Sequence, residues 1–238
     1  MNKTVLITGS AKGIGKAIAL EFAKKGYRVI LNTKKSQERL NKTLEEVKKY
    51  SPSSLAFTAD VSDYAQAKEM VDKIGSVDVL VNNAGISYIG LFNTMTPDKW
   101  QEVMKNNVDS MFNCTHLVLE NMIKKHSGKI INISSMWGIS GASCEVVYSA
   151  SKGAVNAFTK ALARELGPSN IYVNAIACGA IETEMNSFMS LDEHTAFTEE
   201  IPLCRFGKPE EVASLALYLA EENTYITGQI ISLDGGIE

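Results

Sequence analysis

Apolar runs of strand length alternate with helix-period segments from one end of the chain to the other. Thr4-Val5-Leu6-Ile7-Thr8 is a continuous apolar run of the kind a fully buried strand requires, and glycines follow it. Ile14, Ile18 and Phe22 then recur every four residues, so they share one stripe of a helix that Gly26 is placed to stop. Arg28-Val29-Ile30-Leu31 predicts a second strand. A charged helix follows to about Tyr50, where Ser51-Pro52-Ser53 breaks it. Leu55-Ala56-Phe57 leads to Asp60, and Val77-Asp78-Val79-Leu80-Val81 leads to Asn82. Thr96-Pro97-Asp98 has the form of a helix start, with a capping hydroxyl and proline at the first helical position. Lys129–Ile133, Ile171–Ile176 and Gln229–Leu233 bring the strands to about seven. This alternation predicts an α/β protein: a Rossmann-type, doubly wound parallel sheet with helices on both faces, three layers in one domain over residues 1–238. Ligands of such sheets sit beyond the carboxyl ends of the strands, where strand order reverses.

Composition narrows the partners. The 238 residues carry 45% hydrophobic and 21% charged positions and a net charge of −3. The isoelectric point near 5.7 gives no basic field for nucleic acid or anionic lipid. No apolar stretch reaches the length of a membrane span or a signal peptide's core, so a cytoplasmic protein with reduced cysteines is expected. Cys114, Cys144, Cys178 and Cys204 are scattered, and His116, His126 and His194 show no metal-ligand spacing. No metal is expected.

Two motifs carry chemistry. Thr8-Gly9-Ser10-Ala11-Lys12-Gly13-Ile14-Gly15 lies between the first strand and the first helix, where glycines let phosphates approach backbone N–H groups at a positive helix end. The alternative is a glycine turn without a ligand. The second motif is Tyr148-Ser149-Ala150-Ser151-Lys152 at the start of a helix that Ala150, Ala154, Ala157, Phe158, Ala161 and Leu162 carry to Leu166. Residues four apart share a helix face, so an ammonium at Lys152 is placed to favour the Tyr148 phenolate and draw its pKa down.

With its Gly-x-x-x-Gly-x-Gly spacing, its Tyr-x-x-x-Lys pair and the run Asn82-Asn83-Ala84-Gly85, the chain resembles the short-chain dehydrogenase/reductase family over essentially its whole length. The resemblance implies a nicotinamide-dependent oxidoreductase acting on a carbonyl or an alcohol. Tyr148 would be the acid, Lys152 its partner, and Ser135 (rather than Ser134) the donor to the substrate oxygen. Asn107 would hold a water linking Lys152 to solvent, although Asn106 competes for that position. Cofactor contacts are expected from Gly9, Ser10, Lys12, Gly13, Ile14 and Gly15, and from Asp60 and Val61 at the adenine. Asn82, Ala84 and Gly85 would lie along the ribose and phosphates, with Tyr148, Lys152, Gly179, Ile181 and Thr183 near the nicotinamide. Self-association into a dimer or tetramer is also implied, through helices beginning near Asn107 and Tyr148 and the region 226–236.

An NAD site usually ends its second strand with an acidic residue on the adenosine ribose. Leu31-Asn32-Thr33-Lys34-Lys35-Ser36 has none. Asn32 and Lys34 stand there instead, and Lys12 sits in the glycine loop, so NADP(H) is expected. The alternative is that Lys34 and Lys35 merely begin a solvated helix. Cys178 replaces the proline usual before Gly179, which frees one φ angle and predicts a looser loop; a redox role and simple packing both stay open.

Substrate signals are thinner. A polar stretch from Asn186 to Glu200, with Phe188, Met189, Leu191 and Phe197 interspersed, has the character of a lid. Arg205-Phe206-Gly207-Lys208-Pro209-Glu210-Glu211 and the ending Asp234-Gly235-Gly236 most resemble the 3-oxoacyl-acyl-carrier-protein reductase branch. That branch implies a ketone or 3-oxoacyl thioester substrate on a carrier protein, for which Lys124, Lys125 and Lys129 form one docking patch. Gly141-Ala142-Ser143-Cys144-Glu145-Val146-Val147 and Ala177-Cys178-Gly179 look similar to the branch reducing a 5-aminopentanone group on elongation factor P. If Glu145 faces the pocket, it suits an amine-bearing ketone; otherwise it points to solvent or a subunit contact. A non-catalytic NADP-binding sensor or scaffold is the alternative from another class.

Overall fold

The structure, a computed structural model, describes residues 3–184 and 189–237. Strand β1 (Thr4–Ile7) is buried at all four positions. It leads through the glycine loop into α1 (Gly13–Lys24), β2 (Arg28–Thr33) and α2 (Gln37–Lys48). Gly26 follows α1 at φ +89°, a backbone region that favours glycine. The second unit runs β3 (Leu55–Thr58), α3 (Tyr64–Ile74) and β4 (Val79–Asn82). Next come α4 (Pro97–Met104), a π-helical turn at Lys105–Asp109 and α5 (Ser110–Lys125). β5 (Gly128–Ser135), α6 (Val146–Leu166), β6 (Ile171–Cys178), α7 (Leu191–Glu200), α8 (Pro209–Glu221) and β7 (Ile230–Leu233) complete the chain.

The seven strands form one sheet in the order β3-β2-β1-β4-β5-β6-β7, and every neighbouring pair is parallel. The order reverses between β1 and β4, so that pair opens the crevice. Successive side chains of a strand point to opposite faces, and the two cores divide accordingly. Val5, Ile7, Val29, Leu31, Val79 and Val81 pack with Ile18 and Phe22 of α1 and Val212 of α8. Leu6, Ile30 and Leu80 pack on the other face with Met70, Val118, Met122 and Leu162.

Three details depart from expectation. Pro97 does open α4, but the Thr96 hydroxyl makes no capping bond. The π turn at Lys105–Asp109 has no signature in the hydrophobic period; it inserts one residue into the helical ladder. β6 continues through Cys178, which pairs with Ser135 of β5 and Leu233 of β7, so the position expected to loosen is held from both sides. No described helix is long and apolar enough to cross a membrane.

Candidate active site

The carboxyl end of the sheet gathers Gly85, Ser135, Tyr148, Lys152, Gly179, Ile181 and Thr183 into one cleft, and the glycine loop lies beside it. Gly9 and Gly13 have φ of +63° and +54°. A methyl group on Gly15 would lie 2.5 Å from the Gly9 carbonyl oxygen and 2.6 Å from Asn83 Nδ2. Thr8 and Asn83, which the sequence reading did not single out, clamp this loop across the reversal point. The Thr8 hydroxyl accepts from the N–H groups of Asn83 and Ala84, each at 3.0 Å. Asn83 Nδ2 donates to the carbonyls of Thr8 and Gly9, also at 3.0 Å. Both residues follow a strand at the crevice, which was the available signal. The Ser10 hydroxyl is turned inward, where it accepts from Asn32 N–H at 2.9 Å. The Asn32 amide in turn donates to the carbonyl of Ala59 at 3.0 Å. Ser10 and Asn32 therefore shape the site through backbone placement, with their side chains committed to the sheet.

Helix α1 starts at Lys12 without a side-chain cap and with no acidic residue in its first turn. Its leading N–H groups are thus left for an anion, and the cradle fits a dinucleotide's phosphates. Lys34, just past the end of β2, pairs with Asp60 at 2.8 Å. Burial alone would raise the Asp60 pKa; Lys34 and the Ser62 hydroxyl and N–H outweigh it and hold the carboxyl below its usual range. Val61 is buried in the second core. Asn82 donates to Asn132 Oδ1 at 2.9 Å and Thr115 Oγ1 at 3.0 Å, while its own Oδ1 is buried and finds no partner among the described residues.

The chemical floor lies where β5 meets α6. Alternation along β5 separates the two serines. Ser134 points into the packing against α6 and donates to Asn156 Oδ1 at 2.6 Å. Ser135 lines the cleft with Tyr148, and its hydroxyl accepts from Trp137 N–H at 3.2 Å. One helical turn on, Lys152 is 6% exposed and donates to the Ile133 carbonyl at 2.8 Å. Its Nζ lies 5.7 Å from the Tyr148 ring centre. The π turn presents Asn107 to this floor. Its Oδ1 accepts from Ile86 N–H at 2.8 Å, and its Nδ2 donates to the Ile86 carbonyl and Ser151 Oγ, both at 2.9 Å. Asn106 instead bonds the Glu102 carbonyl on the exposed side of the helix, which separates the two asparagines. A methyl group on Gly85 would stand 3.2 Å from Asn107 Oδ1 and 3.7 Å from Lys152 Nζ.

The electrostatics correct one expectation. Burial pushes the Lys152 ammonium down to about 8, with Cys178 opposing weakly. Burial also raises the Tyr148 phenol above its usual value; Ser135 lowers it, but Cys178 and Glu145 add to the rise. The phenol is therefore held protonated, because loss of water around it outweighs any help from the neighbouring ammonium. A neutral phenol is a proton donor, as ketone reduction needs. The Cys178 thiol is pushed up to about 12 by burial, which disfavours its thiolate.

The opposite wall follows β6. A methyl group on Gly179 would meet Asp234 Cα at 2.6 Å, so only glycine lets this turn pack against the chain's last segment. Ile181 bridges to Gly207, and Thr183 Cγ2 lies 3.4 Å from where a Gly13 methyl would stand. Together these parts enclose about 330 Å³, with Met189 and Phe197 on the outer side. Asn186 and Phe188 of the expected lid lie outside the described residues. Glu145 lines the same cleft as Tyr148, and burial alone raises its carboxyl pKa, with no cation contributing. The three lysines of the expected docking patch each make a local contact. Lys124 pairs with Glu120, Lys125 with Asp78, and Lys129 donates to the Asn223 carbonyl above the Tyr172 ring.

Comparison with known proteins agrees with this geometry. The short chain dehydrogenase family pattern matches residues 3–194. The 3-oxoacyl-[acyl-carrier-protein] reductase FabG of Staphylococcus epidermidis is 40% identical over 242 aligned positions, covering 100% of this chain and 99% of that one. Proteins of the same name from Thermotoga maritima and Aquifex aeolicus are 43% and 42% identical, each covering 99% of this chain and 97% of its own length. With the glycine cradle, the Ser135–Tyr148–Lys152 floor and full-length relatives of this kind, the chain belongs to the short-chain dehydrogenase family.

Proposed function

We propose that the protein is an NADPH-dependent ketone reductase whose substrates are 3-oxoacyl thioesters on an acyl carrier protein, in the cytoplasm. The observation that carries this reading is the convergence of Ser135, Tyr148 and Lys152 on the cleft that begins at the glycine cradle. The relatives' names supply the substrate class. Two cations beside the cradle, Lys12 and Lys34, and no carboxylate at the end of β2 favour a 2′-phosphate over a bare ribose.

When bound in the cradle, NADPH would supply a hydride for the carbonyl carbon. Ser135 and Tyr148 both donate hydrogen bonds to the carbonyl oxygen, where negative charge grows as the C–H bond forms. The Tyr148 proton then passes to that oxygen and gives the alcohol. Lys152, anchored on the Ile133 carbonyl, stabilises the tyrosinate left behind. Asn107 fixes the Ile86 backbone beside it through its paired amide bonds. A sensor or scaffold has no need of a proton donor held neutral beside a hydrogen-bonding serine.

Glu145 favours a second reading of the substrate. A carboxylate in a cleft whose lining includes Trp137, Met189 and Phe197 suits a ketone that carries an ammonium, such as a 5-aminopentanone group on elongation factor P. We infer self-association as well, since Phe112 of α5 is 44% exposed beside Phe158 of α6. The test is NADPH and NADH oxidation with acetoacetyl thioesters, carrier-bound thioesters and aminoketone-bearing protein. Turnover of the thioesters with NADPH supports the first reading, and turnover confined to the aminoketone supports the second. No turnover with any of them overturns both. Glu145→Gln should raise the aminoketone KM about tenfold, the size of one lost charged contact, and leave the thioester KM unchanged. Equal effects on both substrates would remove Glu145 from recognition.

A further inference from the structure

Ser135 ends β5 and Tyr148 lies in the first turn of α6, and both must reach one carbonyl oxygen. The chain between them is a poor spacer. Beyond the 3₁₀ turn Met136–Gly138 it is a loop, with Ile139, Ser140, Gly141 and Ser143 exposed. The two elements are joined underneath instead, by a side chain that does not line the cleft. Asn156 is buried on the face of α6 that carries Tyr148 and Lys152, one turn beyond the lysine. Its Oδ1 accepts from the Ser134 hydroxyl at 2.6 Å, and its Nδ2 donates to the Gly138 carbonyl at 3.0 Å. One amide thus holds the strand, the turn and the helix.

Both bonds lead to Ser135. Ser134 is its neighbour in β5, so the Asn156 contact fixes how far the Ser135 backbone stands from the helix. Gly138 ends the turn whose Trp137 N–H donates to Ser135 Oγ at 3.2 Å, which leaves the serine's own proton for another acceptor. That turn lies directly on the lysine: a methyl group on Gly138 would stand 2.7 Å from the Lys152 carbonyl carbon. We propose that Asn156 is a positioning residue for ketone reduction, setting the separation of Ser135 from Tyr148 and Lys152 through Ser134 and Gly138. The inference rests on the reading of the site as a ketone reductase. A displacement of about 1 Å at a reacting group costs on the order of 10²-fold in rate. The lock therefore acts on the chemical step and leaves cofactor and substrate affinity alone.

The test is single-turnover reduction of acetoacetyl thioester and of aminoketone-bearing protein with NADPH, beside calorimetry with NADP+. Asn156→Leu should slow the chemical step by about 30-fold or more, with KM and NADP+ affinity changed by less than about threefold. Ser134→Ala should slow it by about fivefold or more, and the double variant no further than Asn156→Leu alone, because the two side chains act as a unit. Ser134→Thr keeps the hydroxyl and should stay within about threefold of the wild type. Thr159→Val is the control for lost packing. That buried hydroxyl, on the next turn of α6, bonds the Val155 carbonyl and the Asn132 amide. Its loss should lower the melting temperature and change the rate by less than about twofold. Asn156→Leu with an unaltered rate, or with a loss that Thr159→Val matches, overturns the inference alone. If Asn156→Leu does not fold, an unaltered rate in Ser134→Ala does the same. A wild type that reduces neither ketone overturns both the inference and the reductase reading beneath it.

Discussion

The two ends of the cleft handle charge in opposite ways. At the floor, Lys152 is enclosed and makes a hydrogen bond to the Ile133 carbonyl, with no carboxylate lowering the cost of its ammonium. At the mouth, Lys12, Arg39 and Glu184 are each more than half exposed and satisfy one another. Burial therefore controls ionisation at the floor, where removal of water raises the phenol and lowers the ammonium. Pairing and solvent screening control it at the mouth. The floor is costly to build and chemically poised; the mouth is cheap to rearrange and suited to exchanging partners.

Tyr148→Phe strikes the floor at its reacting atom and should show the largest effect. Loss of the proton donor is expected to reduce ketone reduction by about 10³-fold or more, with NADP+ affinity changed less than about threefold. Single-turnover rates and calorimetry on one preparation separate the two effects. Retained turnover would remove Tyr148 from the chemistry.

Lys152→Met probes the cost of that floor. The native ammonium titrates near 8 against an ordinary 10.5, so between these values the unfolded chain binds more protons than the native one. Stability must then rise with pH across this window, and below pH 8 the site carries its full penalty. Removing the ammonium should stabilise the protein at pH 7 by roughly 1–3 kcal/mol while abolishing turnover. The gain should disappear towards pH 10. Urea unfolding at pH 7 and pH 10 measures both; a variant less stable at pH 7 would mean that the Ile133 contact outweighs burial.

The mouth should respond least in stability. Glu184→Gln is expected to move the melting temperature by no more than about 2 °C, because exposed ion pairs add little to folding. A larger fall would make the cluster a structural clip and end the contrast between the two regions.

Much of this was legible before any coordinates. Val5, Leu6 and Ile7 read as a strand covered on both faces, and Ile14, Ile18 and Phe22 as one helical stripe; they pack so. Tyr148 and Lys152 were readable as a pair because four residues make about one helical turn. Ser134 and Ser135 were not separable by local pattern; the fold separates them by committing the Ser134 hydroxyl to Asn156. The phenol was expected to be drawn down by its lysine neighbour; helix spacing gives proximity but says nothing of how much water both groups lose.

The fold class, the glycine cradle and the pairing of Tyr148 with Lys152 were determined by the sequence itself, because each follows from backbone periods and turn geometry spanning a few residues. Three things were decided only in three dimensions: the clamp of Thr8 on Asn83, the presentation of Asn107 on a π turn, and the meeting of Lys12 and Arg39 at Glu184. The physical reason is that burial and long-range pairing depend on which segments the parallel crossovers bring together, and no local period records that.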